Sequence, residues 1–342
     1  MGWKGTLRTL AAAQRRSERA SRQRHNELVK RHMLLEKMAE LEKASYELDV
    51  YENRLEVLSS IHKDCGEPWN WEAIRASEPP TKPLNSHRHE EAAQVQLDSF
   101  KPGMADRLLK RTEAKREELA KAVTAARQLD EQEYQEALKT HEQELTEWEA
   151  TRDLANRILA GDHEAFIEAI KQIDPFSEVS ELGSSIEFQA GETSLIEASI
   201  HVNSEEVIPR EVKTLSKSGK LSVKEMPKGK FLELYQDYVC GCVLRIAREL
   251  FALLPIEMTI ITALGKVLNT KTGHLEENPV LSVVIPRATL SRLNCESLDP
   301  SDSMSNFVYR MSFKKTTGFS AVERLTPLDL QSAKSETKPI AA

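Results

Sequence analysis

One stretch constrains the fold of this chain more than any other. Residues 231–254 read FLELYQDYVCGCVLRIARELFALL, with Leu232, Tyr235, Val239, Cys242, Ile246, Leu250 and Leu253 at three- and four-residue steps. That spacing is a helical period. Phe231, Leu234, Tyr238, Leu244, Ala247, Phe251 and Leu254 add a second apolar face, leaving Glu233, Asp237, Arg245 and Arg248 as the polar stripe. A helix this apolar around its circumference must be largely buried. Pro227 precedes it, Pro255 stops it and strand-like Met258–Ala263 follows. The spacing predicts the core helix of a globular domain.

Around that helix the period changes to two. Ile196, Ala198, Ile200 and Val202 alternate with Glu197, Ser199 and His201, as in a half-buried strand. Residues 207–215 form a second candidate strand, and the turn Lys217–Lys220 leads into a third, LSVKEM. Beyond the helix, strands are expected at 257–268 and 279–286; PVLSVVIP is apolar on both faces and so central. Asp162 is placed to cap the helix HEAFIEAIKQI, which Asp174-Pro175 ends. Asp299-Pro300 begins another helix, whose Met304, Phe307, Val308 and Met311 face inward.

The N-terminal half reads differently. No Pro or Gly interrupts Thr6–Ile61, and Leu34, Leu41, Leu48 and Leu55 recur every seven residues, with Ala44, Tyr51 and Leu58 in the complementary position. Val50 and Val57 lie off that seam. A second long helix is expected from about Met104 to Leu159, with Tyr134, Leu138, His141, Leu145, Trp148, Ala155 and Leu159 as its seam. Each helix would span roughly 85 Å. Charges favour antiparallel pairing. Basic Arg8–Arg31 would meet acidic Glu136–Asp153, and acidic Glu36–Glu56 would meet basic Lys110–Arg127. Exposed pairs are weak but set orientation. The connector, 63–103, carries Trp69 and Trp71, then Pro79, Pro80 and Pro83. The Trp pair either anchors the connector or forms a partner-binding hot spot.

The expected fold is therefore α+β. A long antiparallel coiled-coil hairpin (1–160) precedes a globular domain (161–325) with a mostly antiparallel sheet packed on a buried helix, and residues 326–342 form a disordered tail. The 342 residues are 30% charged with a net charge of −7. No apolar run reaches the roughly 20 residues of a membrane helix, and the N-terminus lacks the apolar core of a signal peptide. With four cysteines and no export signal, a cytoplasmic chain with reduced thiols is expected. Cys240 and Cys242 point to different helix faces, which excludes a shared metal. His87 and His89 have no third ligand nearby in the sequence, so no metal site is expected there.

Two constellations could carry chemistry. Glu197, then Glu211-Val-Lys213 on the next strand, is a layout by which metal-dependent nucleases hold Mg²⁺ and orient water; a solvated hairpin face is the bland alternative. Mg²⁺ is the one cofactor this reading requires. The second is a basic run, Arg210, Lys213, Lys217, Lys220, Lys224, Lys228 and Lys230. It suits phosphate contacts or, equally, a charged edge that blocks strand aggregation.

The order LYQDYVCGCVLRIARELF, a strand, NTKTGHLEENPVLSVVIPRATL and LDPSDSMSNF resembles a region found in some proteins of the Mrr-type restriction endonuclease family. There it lies ahead of the nuclease domain and often follows a coiled coil. The resemblance covers about 195–327 and rests on spacing and order. In that family the catalytic Asp and Gln/Glu-x-Lys strands lie beyond the counterpart of Leu325–Pro327, close to where this chain ends. It thus implies an accessory region without the nuclease domain, leaves Glu211-Val-Lys213 outside the catalytic motif, and suggests a non-catalytic interaction protein linked to DNA-directed or defence systems. Its partner would be a protein, or a second copy held through the coiled coil, and possible nucleic acid is the alternative.

Overall fold

A computed structural model describes residues 40–103, 111–176, 185–190, 195–202, 207–217, 219–268 and 272–329. The elements are α1 (Glu40–Ser60), α2 (Trp71–Arg75), α3 (Arg88–Ser99), α4 (Thr112–Leu159), α5 (His163–Ile173), β1 (Ser185–Ala190), β2 (Leu195–His201), β3 (Glu211–Leu215), β4 (Leu221–Glu225), α6 (Lys228–Leu253), β5 (Met258–Leu268), β6 (Leu275–Pro286), α7 (Arg287–Leu290), α8 (Pro300–Ser303), β7 (Val308–Lys314) and β8 (Gly318–Ser320). They fall into two units. Of the described residues, one comprises 72–155; the other comprises 40–71 and those from 156 onward. The fold is α+β.

In the second unit, β1, β2, β5, β6, β7 and β8 form a six-stranded sheet in that order, and β3 with β4 forms a separate hairpin. Every neighbouring pair is antiparallel except β2–β5. Parallel neighbours need a long crossover; here the chain passes through the hairpin and α6 between them. β6 lies inside the sheet, as its two apolar faces require.

The core helix is present at Lys228–Leu253 with Pro227 as its cap residue, and its middle is buried on all sides. It covers one face of the sheet. Tyr235 meets Phe319 of β8 edge-on at 5.4 Å, and a Cβ on Gly265 of β5 would stand 3.4 Å from the Tyr235 hydroxyl. Of the polar stripe, Glu233, Asp237 and Arg248 are half-buried and Arg245 is buried. Arg245 and Glu249 are 6% and 4% exposed and pair at 2.9 Å.

Local caps form where the sequence places them. The Asp162 carboxylate accepts from the Glu164 amide at 2.9 Å, and α5 ends on Asp174 with φ 44°. The Asp299 side chain accepts from the Asp302 amide. The helix begun there is shorter than expected. After a 3₁₀ turn at Met304–Asn306 the chain becomes β7, because Val308–Met311 pair with β6. Met304 and Phe307 are buried as expected, whereas Val308 and Met311 sit half-buried on a strand. The candidate strand at 207–215 shortens to Glu211–Leu215, which leaves Pro209 before the ladder.

The long helix expected across Thr6–Ile61 is seen at Glu40–Ser60, and the residues before Glu40 lie outside the described part, with the basic Arg8–Arg31 run. α1 packs against α6 and the β3–β4 hairpin, with Ala44, Tyr51 and Leu58 buried and Val50 and Val57 exposed. In the other unit, α4 runs for 48 residues. No residue from Thr112 to Leu129 is buried. Near its far end Trp148 Nε1 donates to Ser77 Oγ at 2.9 Å. Residues 330–342, most of the expected tail, also lie outside the described residues.

Candidate functional site

The nuclease layout is not formed. Glu197 lies on β2 of the six-stranded sheet, flanked by Gln189 of β1 and Ile260 of β5. Glu211 and Lys213 lie on β3 of the separate hairpin. The expectation failed because α6 returns the chain beside β2 as β5, so β3 never becomes its neighbour. Lys213 is committed elsewhere, its Nζ standing 3.3 Å from a Glu47 carboxylate oxygen on α1. No Mg²⁺ is inferred from these residues.

The basic run is divided by the hairpin. Successive strand residues alternate faces, so the cross-strand pair Lys213–Val223 lies on one face and Val212–Lys224 on the other. Arg210, Lys217, Lys220, Lys224, Lys228 and Lys230 are exposed, whereas Lys213 is partly covered.

The Trp pair is an anchor. Trp71 is 4% exposed, and its Nε1 donates to the Leu253 carbonyl at 2.5 Å. Trp69 stacks on it at 5.2 Å and donates its amide to Ala252 O at 2.8 Å. Upstream, Arg248 Nη1 donates to the carbonyls of His62 and Lys63 at 2.5 and 2.6 Å, and Glu249 accepts from the Gly66 amide at 3.0 Å. Residues 62–71 are thus clamped along the last turns of α6, and the polar residues of that helix serve the clamp. Trp71 cannot act as an exposed hot spot, and Trp69 is half-buried.

The four thiols are free. Burial pushes Cys242 up to about 12 and Cys240 well above the ordinary range, as expected of core packing. Burial, then the neighbouring Glu249, raises Cys65 to about 11.

In the first unit, His89, Asp130 and Glu133 bring ligand-type atoms within 4.8 Å of one another, without His87. Their present work is helix capping. Asp130, 3% exposed, accepts from the His89 and Glu90 amides at 3.1 and 2.8 Å, so α4 caps the start of α3. Burial works against this carboxylate's charge, but those amides outweigh it and hold its pKa below the usual range. The His89 ring contacts Glu133 at 3.2 Å, and Arg127 binds Glu90 at 2.9 Å through Nε.

Sequence reading missed a polar row on the sheet. The registers align Glu187, Ser199, Thr262, Ser282 and Arg310 in one row across five strands, opposite the α6 side. A strap, 322–329, crosses this row. Arg324 donates to Ser199 Oγ through Nη2 and to Thr262 Oγ1 through Nε at 3.3 Å, while the Leu325 amide donates to Ser282 Oγ at 2.9 Å. Leu325 fills an apolar cluster with Leu195, Ile260 and Val284. Arg310 donates to Asp329 at 3.0 Å. His201 sits two residues along from Ser199, 2.8 Å from Glu277 and 3.8 Å from Glu187 through its two ring nitrogens. Both nitrogens face carboxylates and Ser199 is held by Arg324, so the row binds the strap rather than forming a nucleophile–base pair.

Comparisons with known protein families, curated proteins and solved structures gave no match. Among the described residues no helix is long and apolar enough to cross a membrane.

Proposed function

We propose that this chain is a non-catalytic, cytoplasmic interaction protein associated with a DNA-directed or defence system, with a helical arm and an α+β docking domain. The observation that carries it is α4. At 48 residues it extends about 72 Å, and Thr112–Leu129 buries nothing. Leu129 is 43% exposed. A long helix with so little burial is poorly stable alone and gains stability by packing. By charge alone, basic Arg8–Arg31 would complement acidic Glu136–Asp153 further along α4 in antiparallel order, so the coiled-coil hairpin belongs to this proposal. The resemblance to the region ahead of the nuclease domain in Mrr-type proteins supports the DNA-directed association, with a separately encoded nuclease or ATPase as the docked partner.

The arm is tested by charge reversal in the full chain. Glu142→Lys, Glu144→Lys and Glu149→Lys together should lower helical content and melting temperature, and added Arg15→Glu, Arg19→Glu and Arg22→Glu should restore both. No effect of the first set, or no rescue by the second, removes the pairing. A monomer in light scattering that retains no nuclease or ATPase from its host removes the interaction reading.

A second reading, nucleic-acid binding through the β3–β4 hairpin, is favoured by the exposure of Lys217, Lys220 and Lys224. Phosphate-driven binding weakens steeply with salt. Replacing these three by Glu should abolish it, and an absence of wild-type binding at about 50 mM salt excludes it.

A further inference from the structure

The clamp between residues 62–71 and α6 contains a histidine that nothing above uses. His62 is 1% exposed, and neither ring nitrogen has a hydrogen-bond partner among the described residues. Its own carbonyl and that of Lys63 receive Arg248 Nη1. Ile61 crosses α6 closely at Gly241, where a Cβ would stand 2.7 Å from Ile61 Cγ2, and the His62 ring lies beside the same glycine, its Nδ1 3.9 Å from that position.

We propose that His62 is a proton-operated release for this clamp: neutral, its buried ring lets residues 62–66 stay on α6; protonated, it drives that segment off α6.

A buried imidazole without partners is tolerated only in its neutral form. Charged groups face it from each side. Lys63 of the same turn and Arg248 of α6 oppose a proton, while Asp299, at the cap of α8, favours one. The Cys295 backbone lies near the ring without reaching hydrogen-bond geometry, and it too favours a proton. Burial comes first and the two cations add to it, so the ring's pKa is held below the ordinary value.

The ordinary value is about 6.5, the unfolded reference. The contribution of neutral His62 is therefore complete above about pH 6.5 and is lost as pH falls through the lowered folded value. A proton taken up in place creates a second cation beside Arg248, whose two carbonyl bonds start the clamp. Moving residues 62–66 into water hydrates the imidazolium and breaks those bonds. The Glu249 bond to the Gly66 amide goes with them, whereas the Trp71–Leu253 bond lies at the far end. Within the titration window the open population rises about tenfold per pH unit, the slope of a single-proton step.

Hydrogen exchange of the full chain, corrected for intrinsic pH dependence, tests this. Peptides covering 62–71 should lose protection below about pH 6.5 while those of β5 and β6 stay protected. In His62→Leu, which cannot titrate, the 62–71 peptides should remain protected through the same range. If His62→Leu folds poorly, the wild type labelled at histidine Cε1 gives the answer by NMR: the His62 resonance should titrate below 6.5 and in step with the loss of protection. Equal pH dependence in wild type and variant, or a His62 titration at or above 6.5, overturns the proposal.

Discussion

Gly241 has no side chain where Ile61 crosses α6: a Cβ there would stand 2.7 Å from Ile61 Cγ2. Glycine in mid-helix costs about 1 kcal/mol relative to alanine, so its presence inside the core helix reflects this close approach. Gly241→Ala should nevertheless destabilise the protein, by about 1–3 kcal/mol, because overpacking outweighs the gain in helix propensity. Adding Ile61→Val should recover part of the loss. Urea denaturation of the two variants measures both steps, and a Gly241→Ala protein more stable than wild type contradicts the contact.

Trp71 tests whether the connector is an anchor or a partner surface. Its buried Nε1 bond to Leu253 O lies in the clamp. Trp71→Phe keeps most of the ring but leaves that carbonyl without its donor, a loss of about 1–3 kcal/mol. Trp71→Ala should cost about 3–5 kcal/mol. Trp69 is only half-buried, so Trp69→Ala should cost clearly less. Equal small losses at both positions would return the pair to the role of an exposed hot spot.

What was legible in the sequence was local. The apolar period of α6 and the caps at Asp162 and Asp299 depend on neighbours within a few turns, and all three are found where the residues put them. What the spacing could not show is where the polar residues of α6 find partners: Arg248 and Glu249 take theirs from His62, Lys63 and Gly66, far away in the chain. Met304, Phe307, Val308 and Met311 continue a helical spacing, yet pairing with β6 overrides it from Val308 onward. The nuclease layout assumed that strands consecutive in sequence are neighbours in the sheet. Ser199 and Ser282 each look like the single hydroxyl of a strand and Thr262 like one of two, and only the register aligns them.

Cys65 offers a chemical check on burial around the clamp. Burial and Glu249 raise its pKa to about 11. A free thiol near 8.5 is about a quarter thiolate at pH 8, whereas a group at 11 is about a thousandth. Alkylation with iodoacetamide at pH 8, followed by mass spectrometry, should therefore modify Cys65 about two orders of magnitude more slowly than an unfolded control. Cys240 and Cys242 should stay unmodified until the protein unfolds. Labelling of Cys65 at the control rate would mean that residues 62–71 leave α6 readily even at neutral pH.

The strap joins stability to pH in a second place. Leu325 is 2% exposed in its apolar cluster, so Leu325→Ala should cost about 2–5 kcal/mol. The polar end of the strap behaves differently. The Asp329 carboxylate accepts from the Thr326 amide and hydroxyl at 2.8 and 2.9 Å and from Arg310 at 3.0 Å. The Thr326 bonds first, then Arg310, outweigh burial and hold its pKa below the ordinary carboxylate value. That value is about 3.9 in an unfolded chain. The stability Asp329 supplies is therefore complete above about pH 3.9 and is lost as pH falls through the lowered folded value. Asp329→Asn should remove most of this dependence while leaving Leu325 in place, because the amide cannot serve Arg310 as an anion. Proteolysis within 322–329 should quicken on acidification in the wild type and change far less in Asp329→Asn. The same acid response in both would place the latch in Leu325 and the Ser199–Thr262–Ser282 row alone.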